Sequence, residues 1–484
     1  MIFFKILNVF LITIAVAIAS VTFYTTFLFG EVTYAQILFN VVVGNPLSML
    51  TPPILLGGLL IFVIIILTSY CSGKILNYFN CSKIWFFSVA IFGVTCFSIY
   101  YANSTFQIYN YYTQKKSDWF ERNYVKINVE NISQNEKPNL ILIMLESIEA
   151  GYADADIYGE NLIASFQELN PNIVFSGYKK TPGGYYTMDG VVAMQTGVPL
   201  LKLPVNIHNI HASKNVFSIL KNTPGIFEYL KINGYKTNAF FGSNEGFTAQ
   251  DLFLKSHGFE VVVGSETWWQ KGYPMNVENG GFCAPNCYSD KFLWQRMKEW
   301  FSIKQNTIGP FAVLIETLDT HAPNGFNHKE FDLYYDVRDA IKESTWLVTN
   351  FIKWAKDQPW FENTVIVLVG DHPWQDGNNK FSKFTKLSSN RGVYFSILNA
   401  PGYRDQKKSV FRSFSAVDIA PTILGAMGFN FSGIDYSGDL VKNRIGLGVN
   451  LLSDEKTLIE EQGLEYILDQ MNNYQSDFYI ELYH

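Results

Sequence analysis

Three stretches near the start of the chain are apolar almost without interruption: Ile6–Phe29, Pro53–Tyr70 and Ile84–Tyr101. A helix rises ~1.5 Å per residue, so runs of this length suit a bilayer core of roughly 30 Å and predict three transmembrane helices. The first run is too long for a cleaved signal peptide, and two more follow it. Within Glu31–Thr51, the stretch Tyr34–Val43 is amphipathic and reads as a segment at the membrane surface. Residues 103–138 turn polar and read as a juxtamembrane connector.

From Asn139 the texture changes to short apolar runs alternating with amphipathic ones. Strands are predicted at Leu140–Leu145, Thr237–Phe241, Phe311–Glu316, Thr364–Val369 and Val393–Leu398. Helices are predicted at Gly225–Asn233, Tyr288–Phe301, Ser344–Lys356 and Ala416–Met427. Strands alternating with helices imply an α/β domain with a mostly parallel sheet flanked by helices.

Positive charge orients the membrane part. Lys5 precedes the first span, Lys74 and Lys83 lie between the second and third, and the first loop has neither Lys nor Arg. The positive-inside rule then puts the N-terminus and second loop in the cytoplasm and everything after Tyr101 outside. Lys115 and Lys116 pull mildly the other way. Net charge is −6 with no basic stripe, which gives no reason to expect a nucleic-acid partner. Of five cysteines, Cys283 and Cys287 form the one pair in the polar part of the chain. A zinc site needs two more ligands at matching spacing, and none stand nearby. A short-loop disulfide in an oxidising compartment fits better.

Candidate chemistry sits where predicted strands end. Leu140–Leu145 runs into Glu146-Ser147, Phe311–Ile315 into Glu316-Thr317-Leu318-Asp319-Thr320-His321, and Thr364–Val369 into Gly370-Asp371-His372. Ligands of open α/β sheets bind outside the carboxyl ends of strands, so these residues can converge into a cage for a divalent cation. Alone, each has a bland reading as a cap or a loop residue. Thr187 follows Thr181-Pro-Gly-Gly-Tyr-Tyr186 and opens an apolar helical stretch. It is either an N-cap or a nucleophile activated by a metal.

Taken in this order, the residues resemble the alkaline phosphatase/sulfatase superfamily. More narrowly, the chain is similar to phosphoglycerol transferases of the periplasmic glucan type and to lipoteichoic acid synthases. The resemblance is carried by Leu145–Glu149, Tyr186–Leu200, Phe253–Phe259, Asp319–His321 and Thr364–His372. It implies a membrane domain at 1–102, a sulfatase-like catalytic domain at 139–452 and a C-terminal tail at 453–484. It implies one divalent metal, Mn2+ or Mg2+, on Glu146, Thr187, Asp371 and His372, with His321 against the phosphoryl oxygens. Thr187 would attack phosphatidylglycerol, releasing diacylglycerol and leaving a phosphoglyceryl-threonine that a glycan or glycolipid hydroxyl then resolves. Tyr185, Asp189 and Asn244 would shape the head-group pocket. The setting implied is a bacterial cytoplasmic (inner) membrane, with the catalytic domain on the periplasmic side. Lipoteichoic acid synthases carry Trp-x-Arg where this chain has Thr248, Ala249 and Gln250, which removes an arginine that would grip a glycerophosphate. The alternatives on the same fold are a phosphoethanolamine transferase using Zn2+ and a phosphatase or sulfatase-type hydrolase. A catalytically dead scaffold for envelope assembly is the alternative from another class.

Overall fold

The computed structural model describes residues 2–29, 32–34, 37–38, 52–78, 81–127, 137–201, 219–274, 286–322, 325, 337–375 and 390–483. Chain contacts divide it into two units, Met1–Gln114 and Lys115–His484.

The first unit holds three apolar helices: α1 (Ile2–Phe29), α2 (Pro52–Asn77) and α3 (Cys81–Phe106). All three are long and apolar enough to cross a membrane. Each exceeds its predicted run, by four residues at the start of α1, by one and seven at the two ends of α2 and by three and five at those of α3. Thr13, Thr26, Ser88, Thr95 and Ser98 return their hydroxyls to helix carbonyls. Such hydroxyls cost little in an apolar surrounding. Of the amphipathic stretch 34–43, only Tyr34, Ile37 and Leu38 are described, and they are helical.

In the second unit, eight strands among the described residues make the central sheet. They are β1 (Asn139–Leu145), β2 (Ile173–Tyr178), β3 (Lys236–Phe241), β4 (Val261–Val263), β5 (Phe311–Glu316), β6 (Thr364–Gly370), β7 (Phe395–Leu398) and β8 (Lys408–Phe414). Their order is β8-β2-β7-β6-β1-β5-β3-β4. All neighbours are parallel except those of β7, which is antiparallel to both β2 and β6. Seven successive residues of β1 and of β6 are buried, as expected of strands covered on both faces.

Ile141, Ile143 and Leu145 of β1 share one core with two amphipathic helices. These are Asp290–Ser302 and Val337–Lys356. The second begins seven residues before its expected start at Ser344, because Val337, Ala340 and Ile341 extend its buried stripe. Residues of the polar connector enter this unit too: Lys115-Lys116 pairs with Tyr474-Gln475, and Lys126-Ile127 pairs with Gly433-Ile434. The C-terminal residues are also built in, with Tyr479 buried and its hydroxyl donating to Pro199 O at 3.0 Å.

Candidate active site

β1 and β6 run in register with Leu145 opposite Gly370, so the next residues, Glu146 and Asp371, leave the sheet side by side. His372 follows at once. The helix α4 (Thr187–Thr196) is laid against the same sheet end by Gly190, where a Cβ would come within 2.5 Å of Asp371 O. That close approach requires glycine, and it puts Thr187, the first helical residue, over the strand ends.

Thr187 Oγ1 lies 3.2 Å from Glu146 Oε2 and 3.3 Å from His372 Nε2. His372 Nε2 is 3.3 Å from Asp371 Oδ2 and 3.6 Å from Glu146 Oε1. Glu146, Asp371 and His372 are buried, while Thr187 stays half-buried and open to a ligand. The helix is capped by Tyr186 without a side-chain bond, so the N-cap reading of Thr187 does not hold: its hydroxyl turns to the cage instead.

Supporting bonds fix each member. Asp371 Oδ1 accepts from the N–H of Ser147 and of His372, at 2.8 Å each. Ser147 Oγ donates to Glu146 Oε1 at 2.6 Å, and Thr317 Oγ1 accepts from the Glu146 N–H at 2.9 Å. Ser147 sits at φ 54, a left-handed backbone that side-chain-bearing residues avoid and that clusters at functional sites. The carbonyl of Pro373 can only accept, so His372 Nδ1 carries the proton in that 2.9 Å bond and Nε2 offers its lone pair to the cage.

The arrangement fits a divalent cation. One oxygen of each carboxylate and the imidazole nitrogen lie within 4.8 Å of one another. Among the described residues Asp371 Oδ2 is buried with no hydrogen-bond partner. Burial and the charge of Asp371 push the Glu146 carboxyl up to about 8. Acceptors so crowded repel unless a positive charge lies between them. Two carboxylates and an imidazole suit manganese, magnesium or zinc.

The other expected site residues are placed less centrally. His321 is half-buried, donates from Nδ1 to Ala322 O at 2.7 Å, and has its basicity lowered by burial, with Asp371 acting in the opposite direction. The Asn244 side chain accepts from Gly246 N–H at 3.0 Å and caps a turn beyond β3. Tyr185 accepts from Gln375 Nε2 through its carbonyl, and Lys180 lies 5.3 Å over its ring. Asp189 faces inward, accepting from Gly183, Tyr185 and Leu200 N–H, so it holds the glycine turn in shape. His257, in the Lys255–Gly258 motif, is likewise structural: its ring nitrogens meet Phe253 O at 2.8 Å and Leu220 O at 3.2 Å.

Two features were given no role in the sequence reading. Glu149 and Arg391 form an ion pair beside the cage, the Arg391 Nε–H shared between both carboxylate oxygens at 3.0 and 2.8 Å. The only sequence signal was a second glutamate three residues after Glu146. Glu316 is a further buried carboxyl, at the end of β5, pushed up to about 8 by burial and by Asp371. Cys287 is disulfide-bonded, and Cys283 lies outside the described residues.

The chain belongs to the sulfatase family of the alkaline phosphatase superfamily: residues 138–429, which include the whole cage, match that family. Phosphoglycerol transferase I of Salmonella choleraesuis (strain SC-B67) is 32% identical over 333 residues, covering 66% of this chain and 40% of that protein. The enzyme of the same name from Salmonella typhimurium is 31% identical over the same length and shares. The chain thus spans about two fifths of the length of the curated relatives it matches. Among solved structures, a lipooligosaccharide phosphoethanolamine transferase of Neisseria meningitidis aligns with a TM-score of 0.49 at 13% identity, covering 88% of this chain and 84% of that one.

Proposed function

We propose that this chain is a membrane-bound phosphoglycerol transferase that moves glycerophosphate from phosphatidylglycerol to a glycan or glycolipid hydroxyl, with Thr187 as nucleophile. The observation that carries the reading is the half-buried Thr187 hydroxyl held at 3.2 and 3.3 Å from two buried ligating side chains, at the start of a helix. The relatives named phosphoglycerol transferase support the choice of head group.

Glu146, Asp371, His372 and the Thr187 hydroxyl would hold one divalent metal, Mn2+ or Mg2+, which when bound supplies Lewis-acid polarisation of a phosphoryl oxygen and a more acidic threonine hydroxyl. Thr187 Oγ1 attacks phosphorus in line, the bond to the diacylglycerol oxygen breaks, and that oxygen leaves with a proton as diacylglycerol. Charge gathering on the phosphoryl oxygens would meet the backbone N–H groups of the first turn of α4, which have no partner within the helix. His321 would contact the phosphoryl oxygens, donating from Nε2 where the negative charge of the phosphodiester beside it favours the protonated ring against the effect of burial. An acceptor hydroxyl then displaces Thr187 from the phosphorus, losing its proton as the threonine hydroxyl regains one. Ser147 and the Pro373 carbonyl keep Glu146 and His372 in the geometry both halves need.

The three apolar helices support a membrane setting, and the lysine pattern supports reading it as a bacterial cytoplasmic membrane with the catalytic unit on the periplasmic side, where phospholipid donor and envelope acceptor would meet. Purified protein with manganese should release diacylglycerol from fluorescent phosphatidylglycerol and not from phosphatidylethanolamine. Release from phosphatidylethanolamine alone would replace this reading by the ethanolamine one.

A further inference from the structure

His372 takes its orientation from one peptide, and that peptide is itself held from behind. The ring donates from Nδ1 to the Pro373 carbonyl, and the same peptide unit ends in the Trp374 N–H. A peptide unit is planar, so its C=O and N–H move together and fixing one pole fixes the other. The Trp374 N–H donates to Glu149 Oε1 at 2.8 Å. Arg391 shares its Nε–H between the two oxygens of that carboxylate, and its Nη2 donates to Trp374 O at 2.6 Å. Glu149 and Arg391 between them hold both backbone groups of Trp374. Pro373 and Trp374 lie outside any helix or strand, so no ladder holds them otherwise. Glu149 is in turn fixed: it is 1% exposed and forms a bridge with Val393. On either side of it, Ala150 N–H donates to Gly392 O at 2.8 Å and Ile148 O accepts from Tyr394 N–H at 3.0 Å. Arg391 begins that same paired stretch, which leads into β7. Beyond Trp374, Gln375 donates to Tyr185 O, two residues before Thr187, so the held segment also reaches the turn that presents the hydroxyl.

We propose that Glu149 and Arg391 are positioning residues for the cage: they lock the Pro373–Trp374 peptide so that its carbonyl holds His372 with Nε2 aimed at a bound cation. Many metal-bound histidines donate their second ring nitrogen straight to a carboxylate, which fixes the tautomer and the angle of the ring. Here Glu149 does the same work through one intervening peptide. Neither Glu149 nor Arg391 touches cation or substrate. A role in stability alone accounts poorly for the arrangement, because desolvating a buried charge pair offsets most of what the pair contributes. Stability alone also gives no reason for both partners to converge on the backbone of the one residue that follows Pro373. The assignment rests on the metal cage of the proposed function and is independent of which head group is transferred.

The test is calorimetric titration of the metal-free 484-residue chain in detergent, with Zn2+ and separately with Mg2+. An imidazole nitrogen matters more to zinc than to magnesium, which oxygen ligands satisfy, so the two metals separate a misaimed His372 from a damaged cage. Glu149→Leu leaves the Trp374 N–H without its acceptor. It should bind Zn2+ roughly tenfold more weakly than wild type and Mg2+ within about threefold of it. Glu149→Gln keeps an acceptor oxygen and should recover most of the zinc loss. Arg391→Lys keeps a charge beside Glu149 but lacks the planar fork that also reaches Trp374 O, and should show the same zinc-selective loss at smaller size. It carries the comparison if Glu149→Leu does not fold. Wild-type zinc affinity in Glu149→Leu and in Arg391→Lys overturns the positioning role and spares the proposed function. Equal loss of both metals, in variants that still melt cooperatively, shows a merely structural pair and overturns it too. A wild type that binds neither metal overturns the cage itself, and the proposed function with it.

Discussion

At the scale of single residues, the site separates chemistry from strain. Ser147 at φ 54 pays for its position with local backbone energy of ~1–3 kcal/mol and returns two bonds to the cage. Ser147→Gly removes the strain and the bond to Glu146 together. It should leave the melting temperature equal or higher, while affinity for manganese falls roughly tenfold. Unchanged metal affinity would mean that Ser147 does not orient Glu146. Thr187→Ala removes no cap, since Tyr186 holds that position, so the folded domain should lose less than ~1 kcal/mol. Phosphatidylglycerol cleavage by this variant should nevertheless fall to background. Glu146, Thr187, Asp371 and His372 could be singled out as candidates in the sequence because two strand ends and one glycine turn announce themselves in composition. Glu316 also stood at a strand end, but nothing in the sequence separates a buried carboxyl from a solvated one.

At the scale of elements, the central strands were readable and the outer ones were not. β1, β5 and β6 are continuous apolar runs because both faces are covered. β8 reads Lys-Ser-Val-Phe-Arg-Ser-Phe and is largely solvated at the sheet edge, so its polar residues hide it. β4 has three residues, too few for any pattern. The seating of α4 on the sheet end depends on Gly190. Gly190→Ala should drive the helix off Asp371 O and cut phosphatidylglycerol cleavage at least a hundredfold, although alanine favours helix on its own. Wild-type activity in that variant would show that Thr187 need not lie where it does.

His257 ties the helix Gln250–Ser256 to Leu220 and gives the element a pH dependence. Burial lowers its basicity from the ordinary value of roughly 6.5. The unfolded chain therefore takes up this proton first as pH falls, and stability is lost below about pH 6.5 until the folded imidazole also protonates. Wild type should lose more melting temperature between roughly pH 7 and 5 than His257→Gln does. Parallel curves for the two would remove His257 as a source of that loss.

At the scale of the whole molecule, three apolar helices and a sulfatase-family unit are joined in one chain, and the joint matters to function only if the second unit meets lipid. Reporter fusions should place residues 1–5 and 72–83 inside and Asn350 outside. An active cytoplasmic reporter at Asn350 would remove the access to donor and acceptor on which transfer depends. The central claim is a covalent phosphoglyceryl group on Thr187, and peptide mass mapping tests it most directly. Wild-type protein, loaded with manganese and given phosphatidylglycerol without an acceptor, is quenched in acid and digested at lysine. The account predicts one added glycerophosphate on the peptide between Lys180 and Lys202, located to Thr187 and absent from Thr187→Ala. The same mass on another residue, with Thr187→Ala still releasing diacylglycerol, would contradict it.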